Sequence, residues 1–348
     1  MQARDNISLY TADGWINTDL IFDDQAPFVI MIGGRGIGKT FGVLRAVITR
    51  GLRFVYLRRT QTQIDVIKHR ELNPFASVNR ETGSDIVTAP IGKYMAGFYH
   101  SAEDGKPQGE PIGIGVALST FANIRGVDGS NYDIIIFDEF IPEAHERPIK
   151  REGEALLNAL ETINRNRELC GGCPIKTLLL SNANDLNSPI LLALGALRPI
   201  DIMIKRRQTH TTIHDGALSI YRYVNSPISL RKRDTALYRV ATDNDFVGMS
   251  IDNNFTTANY EQVCDKPITQ YRVVVSVNGV TVYKHKSNEM YYVIEGVKGT
   301  NIYDYTPLSM RAFKAKYWYL YDAMLDLRLY YASVLAKIKF ERIWNSGH

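Results

Sequence analysis

Cysteine is scarce in this chain, with three among 348 residues. So few thiols exclude a small domain held together by several disulfides, and they suit a protein that works in a reducing cytoplasm. Cys170 and Cys173 form a single C-x-x-C pair between a predicted helix and a predicted strand. Because one such pair is too little for a structural zinc site and does not open a helix, the pattern favours a turn.

Long hydrophobic runs are also absent from the sequence. No apolar stretch approaches the roughly 20 residues that a membrane-spanning helix needs. The polar start, Met1–Asp5, lacks the apolar core of a signal peptide. Neither internal repeats nor low-complexity tracts occur. We therefore expect a soluble globular protein without a membrane partner, and the length suits two domains.

No charge of one sign dominates, since 41 lysines and arginines stand against 37 aspartates and glutamates, for a net charge of +4. Two basic clusters lie near the middle of the chain, and the second half carries the surplus. Basic clusters can bind a polyanion such as nucleic acid, but solvated charge around a linker explains the same pattern. The candidate nucleic-acid contacts are Lys205, Arg206, Arg207, Arg231, Lys232 and Arg233.

What the chain does contain is the phosphate-binding pattern G-x-x-x-x-G-K-[ST]. Residues 28–32 predict a strand before it and residues 40–48 a helix after it, which is the context that this motif needs. Backbone N–H groups and the helix N-terminus would bind the phosphates of ATP. Lys39 is expected to reach the β- and γ-phosphates, and Thr40 to ligate Mg²⁺. The expected nucleotide contacts in this loop are Gly33, Gly34, Arg35, Gly36, Ile37, Gly38, Lys39 and Thr40.

A second signal is the apolar run at 132–137, which leads into Asp138 and Glu139. Downstream of a P-loop, this pattern is typical of a Walker B motif. Asp138 would complete the Mg²⁺ site with Thr40, and Glu139 would activate the water that attacks the γ-phosphate. A glutamate at this position indicates ATP hydrolysis rather than nucleotide binding alone.

Three further apolar runs, at 53–57, 114–118 and 177–180, complete the pattern of a mostly parallel sheet. An inserted hairpin is expected within residues 81–110. Because ligands bind at the carboxyl ends of parallel strands, one arginine of the Arg58-Arg59 pair would face phosphate, and Arg58 is the candidate. Asn182, after the last of these strands, either contacts the γ-phosphate or caps a turn.

A predicted helix at 153–168 has its apolar residues in one narrow stripe. If the helix runs through both arginines near its end, Arg167 lies near that stripe and Arg165 near the opposite face. Arg165 is therefore the candidate arginine finger, acting in trans on the nucleotide of a neighbouring subunit. A solvated arginine at a helix C-terminus is the alternative. Arg125, in the loop after the third strand, is a second candidate.

After about residue 205 the pattern changes. Three strand-like runs with an Asn278-Gly279 hairpin turn are followed by helical spacing at 308–344. The strand-like runs are residues 271–277, 280–285 and 290–294. The predicted division is an ATPase domain at 1–204, a linker or lid at 205–233, and a separate α+β domain at 234–348.

Together these motifs resemble the DNA-encapsidation ATPase of the phi-twenty-nine group of small tailed bacteriophages, which is related to the large terminases. The resemblance extends along nearly the whole chain, and its combination of motifs is more specific than a P-loop alone. The matching segments are residues 33–40, 56–59, 136–140, 155–158, 165–168, 180–183 and 249–253.

The resemblance implies an α/β, additional-strand (ASCE), RecA-like P-loop ATPase domain and a smaller α+β domain similar to the RNase H-like nuclease of large terminases. It also implies a homopentameric ring at the portal vertex of a procapsid, tethered through a packaging RNA. Such a ring works in the host cytoplasm and is not part of the mature virion. The family's arginine at the Arg165 position resembles a trans finger. At the Arg125 position the type member has lysine, whose donor geometry differs.

The C-terminal domain departs from the pattern of an active nuclease. A two-metal nuclease needs clustered carboxylates, the first of them on its opening strand. Residues 271–278 contain no acid, and the acids that follow are scattered along the chain. We therefore predict a vestigial domain without nuclease activity.

The sequence favours an ATP-driven translocase of double-stranded DNA that fills a procapsid and hydrolyses ATP at the subunit interfaces of a ring. The first alternative is a RecA-like helicase or a terminase with an active nuclease. The second is a nucleic-acid-binding assembly protein whose P-loop is structural, and a small-molecule phosphotransferase is more distant. Strand separation would identify the helicase, and the absence of steady-state turnover would identify the assembly protein.

Overall fold

The computed structural model describes residues 8–124, 129, 131–143, 146–241 and 244–345. The chain forms two compact units, which divide between Thr256 and Thr257. Within the described ranges, no helix is both long and apolar enough to cross a membrane.

The first unit is built on a nine-stranded sheet. Its strands are β1 (Phe28–Gly33), β2 (Phe54–Arg58), β3 (Ile86–Ile91), β4 (Met95–Ser101), β5 (Pro107–Ala117), β6 (Ile134–Asp138), β7 (Lys176–Ser181), β8 (His210–Ile213) and β9 (Leu218–Tyr223). The helices described around it are α1 (Thr18–Phe22), α2 (Lys39–Thr49), α3 (Gln61–Ile67), α4 (Ala76–Thr82), α5 (Glu152–Asn164), α6 (Pro189–Ala193), α7 (Leu197–Lys205), α8 (Pro227–Lys232), α9 (Ala236–Val240) and α10 (Asn244–Val247).

The strands follow the order β3-β4-β5-β2-β6-β7-β1-β9-β8. From β5 to β9 in this order, neighbouring strands are parallel. Antiparallel strands β3 and β4 extend one edge and β8 the other. Strand β7 lies between β1 and β6, so the strand before the P-loop is not adjacent to the strand that ends in Asp138. The mostly parallel sheet is therefore confirmed, with the additional strand that the family resemblance implies.

The central strands are buried on both faces. Every residue from Val29 to Gly33 is buried, as is all of β6, which is typical of parallel strands covered by helices. On one face, alternate residues of β1 share a core cluster with α2, formed among others by Val29, Met31, Val43 and Val47. Because the parallel strands are in register, the carboxyl ends of β1, β2, β6 and β7 lie at one edge of the sheet.

The hairpin expected within residues 81–110 is present, since β3 and β4 pair in antiparallel register and β4 pairs with β5. The structure does not show a separate linker at residues 205–233, because two strands of the first sheet, β8 and β9, lie within this range. Strand β9 pairs with β1 from Phe28↔Leu218 to Gly33↔Tyr223, and all of its residues are buried. With β7 on its other side, β9 gives β1 a strand neighbour along both edges, so the backbone groups of this buried strand are paired. Residues 210–223 therefore belong to the first sheet, and the first unit extends to Thr256.

The second unit contains a five-stranded sheet with the order β13-β10-β11-β12-β14. Its strands are β10 (Tyr271–Val277), β11 (Val280–His285), β12 (Tyr291–Glu295), β13 (Ile302–Tyr303) and β14 (Leu329–Tyr331). Its α-helices within the described residues are α11 (Pro307–Lys316), α12 (Tyr319–Leu325) and α13 (Val334–Asn345). The predicted antiparallel strands and the turn at Asn278-Gly279, with φ angles of 48° and 73°, are confirmed.

The prediction of one continuous helix at 308–344 is wrong in the middle of this range, where strand β14 lies. Leu327 has a positive φ of 57°, which ends the helical segment, and β14 follows it in parallel pairing with β12. Leu329 and Tyr331 are fully buried in this arrangement. Strand pairing therefore buries two large apolar side chains within the range that was predicted to be one long helix.

Candidate nucleotide-binding site

The P-loop joins β1 to α2, and its backbone requires glycine at several positions. Gly36 and Gly38 have positive φ angles of 66° and 96°, a conformation that residues with a side chain rarely adopt. At Gly34 the limit is space, because a Cβ would lie 2.6 Å from the carbonyl oxygen of Ser250. The Arg35 N–H donates a hydrogen bond to the same oxygen at 3.1 Å. The segment around Ser250 thus packs directly against the loop.

Lys39 is buried, with only 8% of its surface exposed. Its Nζ donates hydrogen bonds to the carbonyl oxygens of Gly33 and Gly34 at 2.7 Å and to Oδ1 of Asn182 at 2.9 Å. Burial lowers the pKa of Lys39 to about 7, although the nearby acidic groups oppose this shift. The hydrogen-bond partners of Lys39 Nζ are thus neutral oxygens. An anion bound beside this group would favour its charged form and raise its pKa.

Asp138, at the end of β6, is buried and accepts several hydrogen bonds. Thr40 Oγ1 lies 3.0 Å from Asp138 Oδ1, so the two side chains expected to bind Mg²⁺ are adjacent. Tyr56 Oη donates to Asp138 Oδ2 at 2.8 Å, and Arg58 Nη1 donates to the same oxygen at 3.2 Å. Burial raises the pKa of Asp138, and Arg58 and Tyr56 counteract this effect. A hydroxyl and a carboxylate with room for phosphate oxygens and water are suitable ligands for Mg²⁺.

Glu139 follows with a positive φ of 54°, a conformation that is uncommon for residues other than glycine. Its side chain is 52% exposed, and its carboxylate forms an ion pair with Arg58. Arg58 therefore bridges both acids. Arg59 is completely buried and its guanidinium pairs with Glu152 and Glu146 instead. Of the two arginines, Arg58 lies at the site and Arg59 is part of a buried ion-pair network.

The side chains at this edge surround a cavity of about 330 Å³. The structure brings together the P-loop, the end of β6 and the end of β7 at this cavity. Residues of its lining that the sequence singled out are Arg35, Gly36, Gly38, Lys39, Thr40, Asp138, Glu139 and Asn182. The cavity thus brings together the groups that the sequence predicted to bind phosphate, to ligate a metal ion and to accept a proton.

The two basic clusters have different surroundings. Lys205, Arg206 and Arg207 are exposed, and Lys205 pairs with Asp201. In the second cluster, Lys232 is half-buried, donates to the carbonyl oxygen of Arg35 and lies against Gly36. This side chain, which the sequence had grouped with possible nucleic-acid contacts, is therefore a neighbour of the P-loop. Its cluster partners also make contacts within the unit, Arg231 with the Asp13 carbonyl and Arg233 with Asp252.

The helix expected at 153–168 ends at Asn164. The Asn164 side chain accepts a hydrogen bond from the Ile175 N–H at 3.0 Å, which ties the helix end to the start of β7. Arg165 then has a positive φ of 44°. The helical-wheel reason for choosing between Arg165 and Arg167 is therefore wrong, because neither residue lies in the helix.

The surroundings still distinguish the two arginines. Arg165 is exposed. Arg167 Nη2 donates to the carbonyl oxygens of Tyr132 at 2.8 Å and Gly129 at 3.1 Å, so Arg167 anchors its loop to the segment before β6. Arg125, the second trans candidate, lies outside the described residues.

Sequence reasoning missed two polar side chains at the site. Tyr56 precedes Arg58 by two residues on β2, so strand alternation alone places both on one face and could have identified it. Glu143 forms an ion pair with Arg35 of the P-loop. It lies in a loop without a sequence pattern, and only the fold brings it to the site.

No curated protein sequence shows a match to the chain. Among solved structures, a chain of the Phi-28 gp11 DNA packaging motor is 18% identical, with a TM-score of 0.63, over 97% of this chain and 100% of its own. A chain of the bacteriophage Phi-29 viral genome packaging motor assembly is 20% identical, with a TM-score of 0.65, over 94% of this chain and 98% of its own. At these identities the similarity establishes a common fold.

A comparison with models of protein families shows which family the chain belongs to. The model of the podovirus DNA encapsidation protein (Gp16) matches residues 14–306. This range contains the P-loop, the Asp138-Glu139 pair and most of the second sheet. The chain therefore belongs to the podovirus DNA encapsidation protein (Gp16) family.

Proposed function

We propose that this chain is an ATP-driven translocase of double-stranded DNA that packages a viral genome into a procapsid. The observation that carries the proposal is the position of Lys39, Thr40, Asp138 and Glu139 around one cavity. These are the groups that one subunit contributes to phosphoryl transfer from ATP to water. Membership of the encapsidation family supplies the DNA packaging context.

Binding of ATP uses groups that are already in position. Its phosphates bind to the N–H groups of the P-loop and to the N-terminus of α2. Lys39 exchanges its hydrogen bonds to the Gly33 and Gly34 carbonyls for bonds to the β- and γ-phosphate oxygens. Thr40 and Asp138 would hold Mg²⁺, which neutralises charge on the phosphates. Asn182, which lies 2.9 Å from Lys39, contacts the γ-phosphate.

Hydrolysis transfers the γ-phosphoryl group to water. The oxygen of water forms a bond to phosphorus, the bond to the β–γ bridging oxygen breaks, and the products are ADP and inorganic phosphate. Glu139 orients the water and accepts its proton. Because a carboxylate paired with a guanidinium is a weaker base, the ion pair between Glu139 and Arg58 has to loosen in the reacting site.

A neighbouring subunit is proposed to complete the site. Arg165 is exposed just after α5, and it would reach the nucleotide of the adjacent subunit together with Arg125. An added positive charge there stabilises the oxygens of the γ-phosphoryl group in the transition state. Hydrolysis would then occur at the interfaces of a ring, which we propose to be a homopentamer.

The proposed partners are double-stranded DNA, a packaging RNA and the portal vertex of the procapsid. The proposed place of action is the host cytoplasm, before the mature virion forms. Support comes from the two packaging-motor assemblies whose chains share this fold. Lys205, Arg206 and Arg207 are exposed and are candidate nucleic-acid contacts. Removal of their charge should reduce the salt dependence of DNA binding if they contact phosphates.

We further propose that the second unit is related to RNase H-like domains but has no nuclease activity. Strand β10 carries no acidic residue. In the part of the chain that the structure describes, no group of three potential metal-ligating side chains lies together. Metal-dependent nicking of plasmid DNA by the purified protein would contradict this proposal.

The experiment that tests the function is a measurement of ATP turnover with and without double-stranded DNA and procapsids that carry packaging RNA, across protein concentration. We expect strong stimulation and a rate that rises more steeply than linearly with protein, because sites shared between subunits require assembly. A constant rate per subunit that is indifferent to DNA would contradict the proposal and favour a small-molecule enzyme. Strand separation without packaging would favour a helicase.

A further inference from the structure

A turn ahead of β1 is fixed to the P-loop by backbone contacts. Tyr10 and Ile16 form an antiparallel bridge, which closes the turn. The Ile16 N–H donates a hydrogen bond to the carbonyl oxygen of Ile37, inside the P-loop, at 3.2 Å. Gly14, near the tip, has a positive φ of 90°. The position of this turn is therefore coupled to the position of the loop.

Trp15 is the side chain that this turn brings to the phosphate site. A Cβ on Gly38 would lie 3.2 Å from Cε3 of the Trp15 indole, so the ring covers the glycine that precedes α2. The residue is nevertheless 47% exposed. One part of the indole thus rests on the P-loop, and a flat apolar surface beside the phosphate site remains open.

Helix α8 forms the opposite wall. A Cβ on Gly14 would lie 2.8 Å from Cβ of Pro227, and Arg231 Nη2 donates to the carbonyl oxygen of Asp13 at 2.8 Å. A cavity of about 650 Å³ lies here, lined among others by Trp15, Pro227, Ile228, Leu230 and Arg231. The cavity is open to solvent, and its walls combine apolar side chains with the guanidinium group of Arg231.

Two residues connect the walls of this cavity with the P-loop. Trp15 lines the cavity and also touches Gly38. Lys232, at the end of α8, donates to the carbonyl oxygen of Arg35. One ligand with a flat ring at one end and phosphates at the other would therefore contact both the cavity and the P-loop.

We propose that this cavity binds the base of the nucleotide, with a purine ring stacked on Trp15 and its edge facing Arg231. The inference rests on the proposed function, since it takes the phosphates to be bound at Lys39. Stacking on tryptophan supplies affinity through the face of the ring. The Arg231 guanidinium can donate hydrogen bonds to acceptor atoms at the edge of a base.

The test compares Trp15→Ala with the wild-type protein by calorimetric titration with ATP, CTP and inorganic tripolyphosphate, each with Mg²⁺. Tripolyphosphate has the phosphates without a base. We expect Trp15→Ala to bind ATP about ten-fold more weakly, as for the loss of one base–aromatic stack, and tripolyphosphate within two-fold of wild type. Wild type should prefer ATP to CTP, and this preference should shrink in the variant. Trp15→Phe, which keeps an aromatic face, should recover part of the affinity for ATP.

Trp318→Ala is the matched control, because Trp318 is an exposed tryptophan of the second unit and should leave all three affinities unchanged. The base site is contradicted if Trp15→Ala binds ATP as wild type does. It is also contradicted if the variant loses ATP and tripolyphosphate equally, since Trp15 would then only support the loop. If the wild-type protein bound neither ATP nor tripolyphosphate, the nucleotide site as a whole would be overturned. This outcome distinguishes a failure of the proposed function from a failure of the base site alone.

Discussion

The guanidinium group of Arg58 is paired with the carboxylate of Glu139, the residue proposed to activate water. The same group donates a hydrogen bond to Asp138 at 3.2 Å. A single cation at the end of β2 therefore pairs with both acids at the end of β6. This arrangement links the stability of the site to its chemistry, since any change at Arg58 affects both acids.

Replacement of Arg58 by alanine should lower the free energy of unfolding by about 3 kcal/mol, because buried Asp138 loses its charged partner. ATP turnover should fall in the same variant. Denaturant unfolding provides the measurement. The matched control is Arg50→Ala, whose partners Asp19 and Asp23 are largely exposed, so its cost should stay below about 1 kcal/mol. Equal costs for the two variants would contradict the bridging role.

A pair of tyrosines tests the hydrogen bond to Asp138. Tyr56→Phe removes a buried donor to this carboxylate and should cost about 1–3 kcal/mol of stability, with a higher KM for Mg²⁺-ATP. Tyr223→Phe is the control, since the Tyr223 hydroxyl is buried and has no hydrogen-bond partner among the described residues. Its loss should be neutral or stabilising. If thermal unfolding and kinetics do not separate these variants, Tyr56 has no special role at the site.

The lowered pKa of Lys39 predicts a pH dependence of stability. Burial moves this pKa from 10.5 to about 7 in the folded protein. Between these values the unfolded chain binds more protons, so the contribution of Lys39 to stability increases as the pH rises through this range and is constant below it. The free energy of unfolding of wild type minus that of Lys39→Met should therefore increase from pH 7 to pH 10. A difference that is flat across this range would show that Lys39 stays charged when folded.

The trans role of Arg165 is tested by mixing two inactive variants. Arg165→Ala subunits retain Glu139, and Glu139→Gln subunits retain Arg165, so a mixed ring contains some complete interfaces. We expect each variant alone to be slow and the mixture to regain part of the DNA-stimulated ATP turnover. Full activity of Arg165→Ala alone, with no gain on mixing, would exclude the finger.

Arg167→Ala provides the structural comparison for that experiment. Its guanidinium holds the carbonyls of Gly129 and Tyr132, so its removal should lower the thermal unfolding temperature of the isolated protein. Arg165→Ala should lower that temperature less, because Arg165 is exposed and Arg167 is half-buried. The opposite order of the two effects would contradict the division of roles between these arginines.

The features that could be predicted from the sequence are those encoded in short stretches of chain. The P-loop with its flanking strand and helix is one continuous segment, and Asp138 follows its own buried strand. The sheet then brings these ends together, because parallel strands have their carboxyl ends at one edge.

What could not be predicted depends on contacts between distant segments. The Ser250 carbonyl leaves no space for a side chain at Gly34. Lys232 donates a hydrogen bond to the P-loop. No local sequence pattern connects Ser250 or Lys232 with this loop. The end of α5 at Asn164 depends on a hydrogen bond to Ile175 across the following loop. Strand β14 forms only because β12 is available to pair with it.

The central claim is that ATP hydrolysis at this site drives DNA into a procapsid. Its most direct test measures the amount of DNA that becomes protected from nuclease in procapsids carrying packaging RNA, with wild type and with Glu139→Gln. The account predicts ATP-dependent protection of full-length DNA by wild type and none by Glu139→Gln, which keeps the P-loop but loses the group that accepts the proton. Equal protection by both proteins, or protection by wild type without ATP, would contradict the account.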